Sequence, residues 1–164
     1  MSLKPFLSFS LLLLIFLLFS CSQERREIKD LMRLETTVMY KAVNEKDTGW
    51  FRIDTSGRQI IGLLTFHYHN GKSYDGQFKG EMFGDTLKGY YDIKTRENGN
   101  WYRNPVAFLK RKGQLTMGIG AFIVPNWGSP YFDNGVPINF DKGRFVFNVQ
   151  NSLENLSAGR FHKY

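Results

Sequence analysis

Two histidines near the middle of the chain, His67 and His69, have the spacing of a pair of metal ligands. Side chains two residues apart on a β-strand lie on the same face, so both imidazoles could reach one transition-metal ion. No third ligand is evident, because Asp75 and Glu81 have no distinctive spacing and His162 lies close to the C-terminus. Two ligands do not make a tight site. We therefore expect no metal and no other cofactor, and keep His67 and His69 only as metal-site candidates.

Glu97 and Arg103 lie on either side of the Gly99 turn and could form an ion pair across a hairpin or inside the mouth of a barrel. A catalytic role would require a nucleophile with an adjacent base. The chain contains no Ser-x-x-Lys motif, no Gly-x-Ser-x-Gly motif and no phosphate-binding glycine loop between a strand and a helix. A structural ion pair is therefore favoured, and we predict that the protein is not an enzyme.

Cys21 is the only cysteine of the 164 residues, and it directly follows a short apolar run. Lys4 precedes an uncharged stretch, Phe6 to Phe19, that is too short for a typical membrane span of about 20 apolar residues. Its length is typical of the apolar region of a signal peptide, with an uncleaved anchor helix as the alternative. A single cysteine also excludes a disulfide framework. Residues 1–20 are thus predicted to be a signal peptide.

The sequence Leu18-Phe19-Ser20-Cys21 resembles a bacterial lipobox. In lipoproteins with this motif the cysteine receives a diacylglycerol, the signal is cleaved before it, and the new N-terminus is acylated with a fatty acid such as palmitate. The resemblance implies that Cys21 is lipidated and that the lipid holds the protein to a membrane of the bacterial cell envelope. Ser22 is not an inner-membrane retention residue, which favours the outer membrane.

The charge of the chain is basic, with 22 Lys and Arg against 15 Asp and Glu and a formal net charge of +7. Export makes nucleic acid an improbable partner for this excess, so we expect none. A basic surface near a membrane favours anionic lipid head groups or acidic glycans, and an ordinary solvated surface is the simpler alternative. With 42% hydrophobic and 16% aromatic residues, the chain is not expected to be disordered throughout.

Turn-type glycines recur at short, similar intervals after residue 36, and the runs between them are of β type. In Tyr74–Met82, for example, apolar residues and glycines alternate with charged and polar ones. The predicted strands are Thr36–Val43, Gly49–Asp54, Gln59–Tyr68, Tyr74–Met82, Thr86–Thr95, Asn100–Lys110, Gln114–Val124 and Arg144–Val149. We predict an all-β fold, a small antiparallel up-and-down (lipocalin-like) barrel of seven or eight strands over residues 36–150. A β-sandwich is the alternative. Residues 21–35 would be the lipidated N-terminus and tether, and residues 151–164 a C-terminal tail.

One hairpin carries a further resemblance. Gly80-Glu81-Met82-Phe83-Gly84-Asp85-Thr86-Leu87, followed by Val106-Ala107-Phe108, is similar to a motif of small lipoproteins of Bacteroidetes-type bacteria. The motif is turn chemistry, so the resemblance supports the fold and the location and implies no activity. A weaker likeness is to the lipocalin-like barrel of other envelope lipoproteins. Their Cys-x-x-Cys motif is missing here, so no redox or stress-sensing role is implied.

The most direct functional hypothesis is a binding module for a small apolar or amphipathic ligand. Four aromatic residues are predicted to face the barrel interior, where an eight-stranded barrel has space for side chains or for one small ligand. Arg103 could lie at the mouth, and the proline-rich loop with Trp127 could gate it. The predicted ligand-binding residues are Tyr74, Phe78, Tyr91, Trp101, Arg103 and Trp127. The alternative is a structural or interaction lipoprotein that contacts other envelope proteins through Trp127–Phe132 and has no ligand.

Overall fold

The computed structural model describes residue 28, residues 32–94 and residues 99–150. A short 3-10 turn, Leu34–Thr36, leads into ten β-strands within these ranges. The strands are β1 (Thr37–Asn44), β2 (Asp47–Asp54), β3 (Ile60–His67), β4 (Ser73–Phe83), β5 (Thr86–Lys94), β6 (Trp101–Arg111), β7 (Gln114–Met117), β8 (Phe122–Ile123), β9 (Tyr131–Phe132) and β10 (Val146–Val149).

Eight of these strands close into an antiparallel barrel in the order β1-β10-β7-β6-β5-β4-β3-β2. Neighbours in the barrel are neighbours in sequence apart from the excursion between β7 and β10, so the barrel has up-and-down topology. The pairing of Tyr40 with Val149 and of Lys41 with Asn148 closes the ring. Closure removes the exposed strand edges that an open sheet would present. The predicted up-and-down barrel is therefore confirmed in preference to the sandwich.

Tight turns connect the barrel strands, as the glycine positions predict. Gly84 takes a φ of 58° in the two-residue turn between Phe83 and Thr86, which pair directly. Lys112 and Gly113 take φ values of 50° and 80° between the paired residues Arg111 and Gln114. Two consecutive positive φ angles are the signature of a type I′ turn, whose twist matches that of the flanking strands.

The interior of the barrel is filled by apolar side chains, with a cluster of phenylalanines at its centre. Phe51 stacks on Phe108 at a centroid distance of 4.8 Å and contacts the edge of Phe78 at 5.1 Å and that of Phe147 at 6.1 Å. All four rings are fully buried. Around them lie further core residues: Tyr40, Ala42, Ile53, Ile60, Leu64, Phe66, Leu87, Tyr91, Val106, Leu115 and Phe145.

Glycines on the inner face of β4 and β5 make this dense filling possible. Gly80 and Gly89 are paired directly opposite one another. A Cβ atom on Gly89 would overlap the Lys79 carbonyl, and one on Gly80 would overlap both the Lys88 carbonyl and the Phe78 ring. The two backbones therefore approach closely where the Phe78 ring occupies the interior, which only residues without a side chain permit.

The predicted seventh strand, Gln114–Val124, is wrong in its second half. β7 ends at Met117, and the chain then leaves the barrel to form β8, which pairs with β9 as a separate two-stranded hairpin. Side chains of the following segment pack directly on the glycines at this point, because a Cβ atom on Gly118 would meet Ile138 and Phe140. Residues 118–145 thus form an excursion, and β10 takes the place beside β7.

Candidate ligand-binding groove

The floor of the candidate site is the outer wall of the barrel, formed by outward side chains of β4, β5 and β6. Lys79 pairs with Tyr90, and Tyr90 pairs with Pro105 on the next strand. Two residues further along the same face, Glu81 pairs with Lys88. Directly opposite residues on one face have Cβ atoms about 4.5–5.5 Å apart, so these side chains form one continuous surface.

The β8–β9 hairpin forms the second side of the groove. It is held along β6, because the Gly118 amide donates to the Ala107 carbonyl at 2.9 Å and Arg103 Nη1 donates to Ser129 Oγ at 3.5 Å. Ala107 faces outward, yet it is fully buried under this excursion. Tyr131 and Phe132, the two residues of β9, complete the lining of the groove on this side.

The resulting groove has a volume of about 550 Å³, within the range of about 300–1,000 Å³ typical of small-ligand sites. Its lining residues are Gln59, Lys79, Gly80, Glu81, Phe83, Lys88, Gly89, Tyr90, Arg103, Pro105, Tyr131, Phe132 and Asn134. Among them are three cationic side chains, one carboxylate and four aromatic rings. The groove therefore combines an apolar surface with positive charge.

Arg103 is held in a fixed position within the groove. Its Nε and Nη2 atoms each donate to a different carboxylate oxygen of Asp92 at 2.6 Å, and its guanidinium carbon lies 5.3 Å from the centroid of the Tyr90 ring. The hydrogen bonds to Asp92 raise the pKa of Arg103, so the group is cationic at every physiological pH. Asp92 is the residue directly opposite Arg103 in the sheet. The predicted partner, Glu97, lies outside the described residues.

The six predicted ligand-binding residues do not lie together. Phe78 and Tyr91 face inward, as predicted, and both are buried. The Tyr91 hydroxyl donates to the Tyr74 carbonyl at 2.9 Å, and Tyr74 lies near the barrel end, where its ring contacts Tyr68. Of the six, Arg103 lines the groove.

Trp101 and Trp127 differ more clearly from the prediction. Trp101 shares the outer face of β6 with Arg103, because the inward positions of this strand are the even-numbered ones such as Val106 and Phe108. Its predicted inward orientation is wrong. Trp127 is 92% exposed in the loop that joins β8 to β9, on the outside of the barrel wall.

The histidine pair has a different arrangement from the predicted strand pair. His67 ends β3, with its Nδ1 3.0 Å from Ser73 Oγ, whereas His69 lies beyond the strand in the turn. The His69 backbone amide and Nδ1 lie 3.0 and 3.1 Å from Asp47 Oδ1, and Arg144 donates to Asp47 Oδ2 at 2.8 Å. The backbone hydrogen bond from His69 is the main cause that lowers the pKa of buried Asp47. Among the described residues, no group of three or more His, Cys, Asp or Glu side chains could hold a metal ion.

Several predicted features lie outside the described residues. These are residues 1–20, the lipidation site Cys21 and the tail at 151–164. Within the described ranges, no helix is long and apolar enough to cross a membrane. Comparisons of the chain with protein-family models, curated proteins and solved structures found no match.

Proposed function

We propose that this chain is a lipoprotein of the bacterial outer membrane, anchored through Cys21, whose barrel is a non-catalytic binding module for a small amphipathic ligand. The observation that carries the binding role is the groove between the outer wall of β4–β6 and the β8–β9 hairpin. The anchor rests on the order of charged, apolar and cysteine residues in positions 1–21.

The expectation that the ligand lies in the interior of the barrel is wrong, because the centre of the barrel is filled by the chain's own side chains. We therefore assign the ligand to the groove on the outer wall. Phe51, Phe78, Phe108 and Phe147 are fully buried and in mutual contact, so a ligand there would have to displace the core. The groove is open and already formed, with aromatic rings on both of its sides. Pre-formed concave sites of this size and lining are where small ligands bind.

The composition of the groove favours a ligand with an apolar body and an anionic head. Phe83, Tyr131 and Phe132 offer apolar area. Lys79 lies directly opposite Tyr90, and Lys88 lies two residues before Tyr90 on the same strand. Both lysines are exposed on the outer face and can attract a carboxylate, sulfate or phosphate.

The groove is tested by photo-crosslinking of the full chain with a diazirine derivative of laurate, whose sites of attachment are mapped by mass spectrometry. We expect labels in peptides that contain Phe83, Tyr90 or Tyr131, and several-fold weaker labelling in the Lys88→Ala variant. Lys110→Ala is the matched control, because Lys110 is exposed but outside the groove. A dodecanol diazirine tests the charge requirement. Equal labelling by laurate and dodecanol, or labels on the buried core residues Phe51 and Phe147, would contradict the proposal.

The anchor is tested by growing the expressing bacterium with an alkyne-labelled palmitate analogue. We expect the wild-type chain to carry the label and Cys21→Ala to lose it. A wild-type chain without label would refute the anchor and leave the groove proposal intact.

A further inference from the structure

The β8–β9 hairpin presents apolar side chains to solvent instead of covering them. Trp127, in the connecting loop, is 92% exposed, and Val124 is 67% exposed. Phe122, Ile123 and Tyr131 in the two strands are also exposed. Single exposed apolar residues are ordinary, but five within the ten residues 122–131 indicate a contact surface.

The charge pattern of this segment indicates what it contacts. From Gln114 to Phe132 the chain contains no Asp, Glu, Lys or Arg. A segment without charge can enter a region of low polarity without desolvating an ion. Tryptophan and tyrosine, which combine an apolar ring with one polar group, are enriched where water meets the lipid tails.

Cationic side chains lie next to the uncharged hairpin. Gly118, at the base of the excursion, donates a hydrogen bond to the Ala107 carbonyl, and Ser129, in the loop of the hairpin, accepts one from Arg103. The loop therefore projects toward the end of the barrel where β6 begins and β5 ends. At that end Lys94 is exposed and pairs with Trp101, which is also exposed. An apolar tip with cations beside it is the arrangement that binds an anionic bilayer surface.

We infer that the β8–β9 hairpin is a membrane contact: Trp127 and Val124 insert into the interfacial region of an anionic lipid bilayer, with Lys94 facing the head groups. This inference does not depend on a ligand in the groove. β1 begins at the opposite end of the barrel from this loop, since the strands alternate in direction around the ring. An anchor before β1 together with an inserted hairpin would hold the barrel axis along the membrane surface.

The test adds the full chain to phosphatidylcholine vesicles prepared with and without phosphatidylglycerol. Part of the lipid carries brominated tails, which quench tryptophan fluorescence at close range. We expect quenching in wild type and loss of most of it in Trp127→Phe. Trp50→Phe is the matched control, because Trp50 lies on the outer face of β2, four strands around the ring from β6. Its replacement should leave the quenching in place.

Three outcomes would overturn the inference. Quenching that is equal in wild type and Trp127→Phe would show that Trp127 does not reach the lipid. Quenching that is independent of phosphatidylglycerol would remove the role of the cations. Protection of Trp127 from aqueous iodide in native envelopes but not on protein-free vesicles would assign the hairpin to a protein partner. Repeating the measurement with Cys21→Ala separates a failure of the anchor from a failure of the hairpin.

Discussion

Truncation of Phe51 tests whether the barrel interior is a packed core. The Phe51 ring is fully buried and contacts three other rings at 4.8–6.1 Å. Phe51→Ala removes the burial of one large side chain and leaves a cavity among rings that cannot collapse freely, so the free energy of unfolding should fall by about 3–5 kcal/mol. At roughly 3–5 °C per kcal/mol for a domain of this size, the midpoint of thermal unfolding should fall by about 10–25 °C.

The measurement is urea and thermal denaturation of the full chain in a mild detergent, followed by circular dichroism. Phe122→Ala is the matched control, because Phe122 is 55% exposed and its loss should change stability by less than about 0.5 kcal/mol. Phe51→Leu, which keeps more of the volume, should cost roughly 1–2 kcal/mol and keeps the test informative should the alanine variant not fold. A loss below about 1 kcal/mol for Phe51→Ala, or binding of the laurate probe inside the barrel, would refute the packed interior.

Three further predictions concern single groups. Burial raises the pKa of Asp54, but hydrogen bonds from Arg33, Thr36 and Ser56 outweigh it and hold that pKa well below the ordinary 3.8. Stability should therefore be lost as the pH falls below about 4. In urea titrations, Asp54→Asn should lower the free energy of unfolding by about 1–3 kcal/mol at neutral pH and weaken its dependence on acid pH. Gly84→Ala should lower the free energy of unfolding by about 1 kcal/mol, because φ at Gly84 is 58° although there is open space around it. Gly57→Ala is the control, because Gly57 has an ordinary φ and its replacement should be close to neutral. Equal losses of stability would contradict the turn argument. Arg103→Lys loses the pair of hydrogen bonds to Asp92. It should reduce laurate labelling several-fold and change the free energy of unfolding by less than about 1 kcal/mol. Unchanged labelling would exclude Arg103 from binding.

The strands and turns could be predicted because their signals are local. Alternation along β4 and the glycine at position 84 each act within a few residues, and the bounds of these two neighbouring strands, β4 and β5, agree closely with the prediction. The face of Trp101 depends instead on the register of β6 against β5, which pairs Val106 with Gly89. No pattern within β6 itself sets that register, since Trp101 and Tyr102 are both aromatic. The face on which Trp101 lies therefore cannot be predicted without knowing how β6 pairs with β5.

The groove could not be predicted from the sequence because it forms between distant segments. Lys79 and Tyr90 are visible as outward residues of two alternating strands, but nothing near them indicates a second wall. That wall is Tyr131 and Phe132, which reach it only because the chain leaves the barrel at Gly118. The exposure of Trp127 could not be predicted from the sequence either, because a loop of this proline-aromatic composition can cover the end of a barrel or project from its side.

The excursion over residues 118–145 is the part of the chain that barrel closure does not require. β7 and β10 are adjacent and antiparallel, so a two-residue turn could join them, as it joins β4 to β5. The chain instead forms a hairpin that supplies one side of the groove and exposes Trp127. The Asp133 amide donates to the Ala121 carbonyl at 2.9 Å, so residues 122–132 can be replaced by Asn-Gly between two points that already touch. We expect this variant to keep the circular dichroism spectrum of the barrel while losing both laurate labelling and lipid quenching. Loss of the barrel itself would show that the hairpin is structural, and retained labelling would show that the groove does not need its second wall.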